Sequence, residues 1–122
     1  MAEKTFKNRT KKLAVAIIKE VDQLPRSLAR DVIGRQLVRS GTSIGANYRA
    51  ACRARSTADM INKMKIVEEE SDETEYWLEL LVEAGLVPER QIAGLYKETD
   101  EILSMTIASI KTLRNRVSIR GA

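Results

Sequence analysis

Apolar residues recur every three or four positions along this chain, in four blocks parted by helix-breaking residues. Leu13, Ile17, Val21 and Leu24 share one face of a first helix predicted over about Thr10–Gln23. Pro25 stops it, because proline disfavours helical backbone at the residue before it. Ser27 is an N-cap residue type, able to accept an orphan backbone N–H, and opens a second helix running to about Ala54. Gly34, Gly41 and Gly45 lower its intrinsic propensity, but the periodicity continues through them. A third helix starts at Ser56 or Thr57 and ends before Gly85, a natural left-handed C-terminal position. Met60, Met64, Val67, Ser71, Thr74, Leu78 and Leu81 form its inner stripe. Pro88, tolerated in a first helical turn, opens the fourth helix, predicted over about 88–116. Its stripe runs Ile92, Leu95, Thr99, Ile102, Thr106, Ile110, Leu113 and Val117, and Ile119–Ala122 are expected to fray.

Each connection is a few residues long, which makes successive helices antiparallel neighbours. The expected fold is all-α: one up-down-up-down four-helix-bundle domain over residues 1–122. Apolar residues make up 43% of the chain and aromatics 4%, so the core must be aliphatic. No apolar run approaches the roughly 18–20 residues that span a bilayer, and the N-terminus lacks a signal-peptide pattern. Cys52 is the single cysteine, so no intrachain disulfide forms; a cytoplasmic protein without membrane association is expected.

The second helix carries the most information. Leu37, Gly41, Ile44, Tyr48 and Ala51 face the core. Gly34, Val38, Gly41, Gly45 and Cys52 flank it on one edge, and Gln36, Ser40, Ser43, Asn47, Ala50 and Ala54 on the other. Small residues on both edges allow close approach. The apolar or small surface spans roughly 200°, against the roughly 100° that a surface helix needs. Self-association would cover the excess; the competing reading is that small residues simply fit a tightly packed monomer. Gly34, Ser40, Gly41, Ser43, Gly45, Asn47 and, on the third helix, Trp77 are the close-packing or oligomer-contact candidates.

Charge is segregated. Residues 1–55 hold thirteen Lys/Arg and four Asp/Glu; residues 56–101 hold four and thirteen. That asymmetry suits packing of a basic helix on an acidic one and leaves basic groups for an anionic partner. Arg35, Arg39, Thr42, Ala46, Arg49 and Arg53 recur at helical steps, a stripe about 27 Å long opposite the core. Arginine suits bidentate contact with phosphate, so Arg35, Arg39, Arg49 and Arg53 are candidate nucleic-acid contacts, with Lys11 and Lys12 as weaker ones. The competing reading pairs these arginines with carboxylates. Lys4, Lys7 and Arg9 beside Lys11 and Lys12 could add to the basic surface, as could Lys111, Arg114, Arg116 and Arg120, though the place of the latter group near a helix C-terminus also suits the helix dipole. With one Trp, one Phe and three Tyr, stacking platforms for single strands are nearly absent, so binding would be directed at backbone or shape.

On the third helix, Glu68, Glu70 and Glu75 flank the apolar stripe and call for basic partners. The chain has no histidine, which removes Ser-His and Cys-His nucleophile pairs and histidine metal sites. There is no Gly-rich phosphate loop. Cys52 is read as a packed small residue. No enzymatic activity, cofactor or metal is expected.

Two segments, QLVRSGTSIGANYRAACRARS (Gln36–Ser56) and EEESDETEYWLELLVEAGLV (Glu68–Val87), carry a family resemblance. The chain resembles the four-helix-bundle family encoded in intervening sequences of bacterial large-subunit ribosomal RNA genes. The SIGAN core followed by R-x-R-S, then ET-x-YWLELL, is specific to it. The resemblance implies an antiparallel bundle assembled as a ring-like homopentamer, bacterial and cytoplasmic, without established enzymatic activity. Gene location implies an association with ribosomal RNA. A related pentameric bundle serves as accessory to the reverse transcriptase of diversity-generating retroelements. One departure is Ala50, where the family pattern usually has an acidic residue. The expected function is a non-enzymatic homo-oligomeric scaffold binding RNA or DNA, with a protein-protein adaptor as the alternative.

Overall fold

The computed structural model describes residues 2–121, with side chains described through Ser118. All regular structure among them is helical: α1 (Glu3–Asp22), α2 (Leu28–Cys52), α3 (Thr57–Glu83) and α4 (Glu89–Gly121). Each helix packs on the next in the chain, most extensively α2 on α3, and α4 closes back on α1. Among the described residues the diagonal pairs α1–α3 and α2–α4 do not approach backbone to backbone, and all four helices contribute side chains to a single core.

The turn chemistry behaves as its residue types dictate. The Ser27 hydroxyl accepts the Arg30 N–H at 3.1 Å, and the Ser56 hydroxyl accepts the Asp59 N–H at 3.1 Å. Gly85 adopts φ 72°; the Leu86 N–H reaches the Leu81 carbonyl at 2.9 Å and the Gly85 N–H reaches that of Val82 at 3.0 Å. This paired closure satisfies orphan carbonyls at the end of α3. Arg30 then donates through Nε (3.1 Å) and Nη2 (3.0 Å) to the Leu86 carbonyl, tying the start of α2 to the α3–α4 turn.

Two boundaries differ from the pattern-based expectation. α1 starts at Glu3, seven residues before Thr10, because Phe6 and Thr10 extend the inner face of Leu13 and Ile17. Phe6 is fully buried and meets Tyr48 edge-on, ring centroids 4.5 Å apart. Charged neighbours at Lys4, Lys7 and Arg9 hide this turn from a hydrophobicity scan. α4 continues to Gly121 and passes the first turn of α1: Glu3 and Arg116 line one depression, and Val117 beyond it is exposed. The Arg120 side chain and Ala122 lie outside the described residues.

The core is aliphatic but carries hydroxyls. Ser71, Thr99 and Thr106 are fully buried and each donates to the carbonyl four residues back, at 2.7–2.8 Å. Such back-bonding satisfies a polar group within its own helix. Ser40 and Thr74 meet across α2 and α3 at 2.9 Å.

Candidate nucleic-acid interface

The three helix-2 glycines line the side turned to α1. A Cβ on Gly41 would come within 2.5 Å of Ile17 Cδ1, one on Gly34 within 3.0 Å of Val21 Cγ1, and one on Gly45 within 3.1 Å of Thr10 Oγ1. On the other flank Ser40 is buried, and Ser43 and Asn47 are half-buried, donating to the carbonyls of Arg39 (2.7 Å) and Ser43 (2.9 Å). The glycine edge of α2 thus packs on α1, and Ser40 on the opposite edge meets Thr74 of α3. Gly34, Gly41, Gly45 and Ser40 are close-packing residues inside the bundle, while Ser43 and Asn47 keep part of their surface open. Trp77 is half-buried against the core, its ring centroid 5.1 Å from that of Tyr76.

That close α1–α2 seam decides where the arginines go. Arg39 and Arg49 are ten residues apart, so they diverge by about 80° around the helix. Arg39 leans toward α3 and Arg49 toward α1. Arg39 donates to Glu70 Oε2 at 3.1 Å, pairs with Glu73 and also meets Gln36 Oε1 at 3.2 Å. The even arginine stripe is therefore split: its Arg39 position is an ion pair inside the chain. Glu70 has the basic partner its boundary position called for.

Arg49 lines a groove of about 420 Å³ between α1 and α2 with Lys7, Asn8, Lys11 and Thr42. Among the described residues no carboxylate lines that groove, although Lys7 also pairs with Glu3 at 3.0 Å. Gly45 and Ala46 in its wall leave the cations accessible. Two sequence-derived candidates, Lys11 and Arg49, are brought together here. Lys12 lies on the outer side of α1 with Val15 and Lys19. Arg35 lines a second groove on the same seam, about 21 Å from Arg49 along α2. That groove is mixed in charge: Arg26 and Arg30 share it with Asp22 and Asp31, and Arg26 Nε donates to Asp31 Oδ1 at 3.0 Å. Arg53 is exposed at the C-cap of α2.

Other cations are spent internally. Arg9 meets Glu98 through Nε (3.0 Å) and Nη2 (2.5 Å) and Glu101 at 3.2 Å, joining α1 to α4. Burial pushes the Cys52 thiol up, consistent with a packed residue and not an activated nucleophile. Among the described residues no group of three or more acids or cysteines converges as a metal site, and no helix is long and apolar enough to cross a membrane.

One cluster escapes the sequence pattern. Glu75 was expected to meet a base, but it faces Tyr96 and Asp100 of α4. Its Oε1 lies 3.4 Å from the Tyr96 hydroxyl, which also donates to Glu79 Oε2 at 2.8 Å. Burial first, then Asp100, pushes the Glu75 carboxyl up to about 7.

Over residues 3–108 the sequence matches the family described as 23S rRNA-intervening sequence protein. The chain belongs to this family. A solved structure from Bacteroides thetaiotaomicron VPI-5482, described as a protein of unknown function from the S23 ribosomal protein family, is 39% identical. The alignment covers 91% of this chain and 99% of that one, with a TM-score of 0.84. No curated protein matches the chain. The family descriptions name no reaction. They agree with the resemblance carried by the SIGAN and YWLELL segments.

Proposed function

We propose that this member of the 23S rRNA-intervening sequence protein family is a non-enzymatic, homo-oligomeric RNA-binding scaffold of the cytoplasm. The observation that carries the reading is the carboxylate-free α1–α2 groove, where Lys7, Lys11 and Arg49 converge on one accessible surface. Cations placed so can follow a phosphate backbone without reading bases. Arg35, Arg53 and Lys12 extend the surface. Arg39 is left out, because Glu70 and Glu73 already neutralise it.

An antiparallel arrangement of the helices is supported by the order of the cross-helix contacts. Arg30 meets Leu86 while Arg39 meets Glu70; Glu20 meets Gln91 while Arg9 meets Glu98. Support for self-association comes from exposed aliphatic residues on α1 and α2, not from the glycines. Val15, Ile18, Leu28 and Val32 are all more than 40% exposed, a cost in water that a second subunit would relieve. The pentamer implied by the family resemblance is the assembly we propose.

The test is binding of the purified protein to structured RNA and duplex DNA across a salt series, with its mass measured by sedimentation equilibrium. Salt-dependent binding to RNA, lost when Lys11 and Arg49 become glutamine in an intact oligomer, is the expected result. No binding at low salt would overturn the nucleic-acid reading and leave a protein-protein adaptor.

A further inference from the structure

The two ends of the bundle differ in charge. Phe6 meets Tyr48 edge-on, and Glu3, Tyr48, Met60 and Arg116 line one depression of about 500 Å³. The start of α1, the end of α2, the start of α3 and the late turns of α4 therefore share one end. Residues 3–12, 49–65 and 105–118, which build it, hold thirteen Lys/Arg and two Asp/Glu, namely Glu3 and Asp59. At the opposite end Arg30 meets Leu86 and Glu20 meets Gln91. Residues 19–31 and 75–101, which build that end, hold five Lys/Arg and ten Asp/Glu. The field of the chain thus runs along the bundle and draws an anion to one end only. At the basic end Arg9 is engaged by Glu98 and Glu101, and Lys7 by Glu3. Arg53 and Arg55 in the α2–α3 turn and Arg114 and Arg116 on α4 are exposed. Among the described residues no carboxylate pairs with these four.

From this arrangement we propose that the basic end of the bundle holds a base-paired nucleic-acid stem, continuing the contact that begins in the α1–α2 groove. The inference rests on the nucleic-acid reading above and names the form of the ligand. Spacing is the first argument for paired strands. Arg53 and Arg55 follow α2, and Arg114 and Arg116 lie on α4, so the cations stand on diagonal corners of the end. Neighbouring helix axes about 8–10 Å apart put diagonal ones roughly 13 Å apart, and the guanidinium groups can reach wider still. That spacing suits the two backbones that border one groove of a duplex, such as the roughly 12 Å major groove of B-form DNA or the wide minor groove of A-form RNA. Stacking is the second. Phe6 and Tyr48 are buried, and the other three aromatics, Tyr76, Trp77 and Tyr96, lie toward the acidic end, so unpaired bases find no platform here. The third is the α2–α3 turn itself. Arg53, Ala54, Arg55 and Ser56 offer no large apolar side chain to insert into a bilayer, which favours the phosphates of a stem over those of a lipid surface. The arginine pairs supply bidentate phosphate contacts and read no bases.

The experiment is fluorescence anisotropy of the full chain with labelled RNA and DNA duplexes and an unpaired oligouridylate of equal length, across a salt series. One of the duplexes is expected to bind at least tenfold more tightly than the oligouridylate. Arg53→Gln/Arg55→Gln and Arg114→Gln/Arg116→Gln should each lower the slope of log affinity against log salt by about two contacts. Arg90→Gln/Lys97→Gln, at the acidic end, should leave it unchanged. All six side chains replaced are at the surface or near it, and circular dichroism checks that the variants stay folded. If Lys11→Gln/Arg49→Gln lowers the slope while both end variants keep the parent's, the groove reading stands and the basic end is overturned. Equal affinity for oligouridylate overturns the base-paired ligand, and tighter binding to phosphatidylserine vesicles than to either duplex assigns the end to a membrane instead. No binding of the parent to any nucleic acid at low salt removes the groove reading and this one together.

Discussion

A Cβ on Gly41 would sit 2.5 Å from Ile17 Cδ1 and 3.2 Å from Ile17 Cγ2, so α1 and α2 touch backbone to side chain at this point. Ile17 is fully buried, and its branch methyl as well as its terminal methyl lies inside the tight range. Gly41→Ala gains up to about 1 kcal/mol of helix propensity but meets an overpacking cost of roughly 1–3 kcal/mol, so net destabilisation is expected. Gly94 provides the contrast. Nothing lies within 4 Å of its Cβ position, and Gly94→Ala should stabilise by about 0.5–1 kcal/mol. Urea unfolding of the two variants checks the ranking; a stable Gly41→Leu would show that the contact is not rigid.

Phe6 tests the first turn of α1. It is fully buried and packs edge-on against Tyr48, although the residues around it are charged. Phe6→Ala should cost about 3–5 kcal/mol, in the range of other buried aromatic truncations. Amide exchange would then show residues 3–9 opening ahead of the rest of the bundle. A loss below about 1 kcal/mol would mean that α1 holds without its N-terminal anchor.

How much of this was legible follows from where the information sits. Pro25, Ser27, Ser56 and Gly85 act through their own backbone chemistry, so the turns could be placed without tertiary knowledge. The inner stripes were equally local, since burial repeats with the helix turn. The first turn of α1 was missed because one phenylalanine among cations leaves no periodic signal. The fate of the arginine stripe was not legible either. Whether Arg39 or Arg49 is free depends on which neighbour each leans toward, and that requires knowing that α1 and α3 flank α2 on opposite sides. Tyr96 and Asp100 were missed for the same reason: their role comes from Glu75 across the α3–α4 seam.

Arg39 and the pair Lys11/Arg49 make opposite predictions. Arg39→Gln breaks the contacts to Glu70 and Glu73, and the arginine is half-exposed, so the expected loss is at most about 1 kcal/mol of stability with no change in RNA affinity. The double variant Lys11→Gln/Arg49→Gln should leave stability within about 0.5 kcal/mol of the parent. It should lower the slope of log affinity against log salt by about two contacts. Filter binding at several salt concentrations measures both. If Arg39→Gln lost RNA affinity with an unchanged slope in the double variant, the α1–α2 groove would not be the contact surface.

Glu75 should give the bundle a pH dependence of definite sign. Asp72 and Glu79 on its own helix, and Asp100 and Tyr96 on α4, face or surround it, and no base among them compensates its charge. Its carboxyl titrates near 7 in the folded chain, against an ordinary value near 4.5 when unfolded. Between those two values the folded protein holds a proton that the unfolded chain has released. Stability from this residue is therefore fully present below pH 4.5, declines as pH rises, and is lost once pH passes about 7. A shift of this size corresponds to roughly 3 kcal/mol as an upper bound. Glu75→Gln keeps the shape and removes the titration. The variant should match the parent at pH 5 and exceed it at pH 8, so the difference between their urea midpoints should widen across that interval. A parallel pair of pH profiles would mean that Glu75 is ionised and compensated throughout, and that the buried oxygen has a partner in solution.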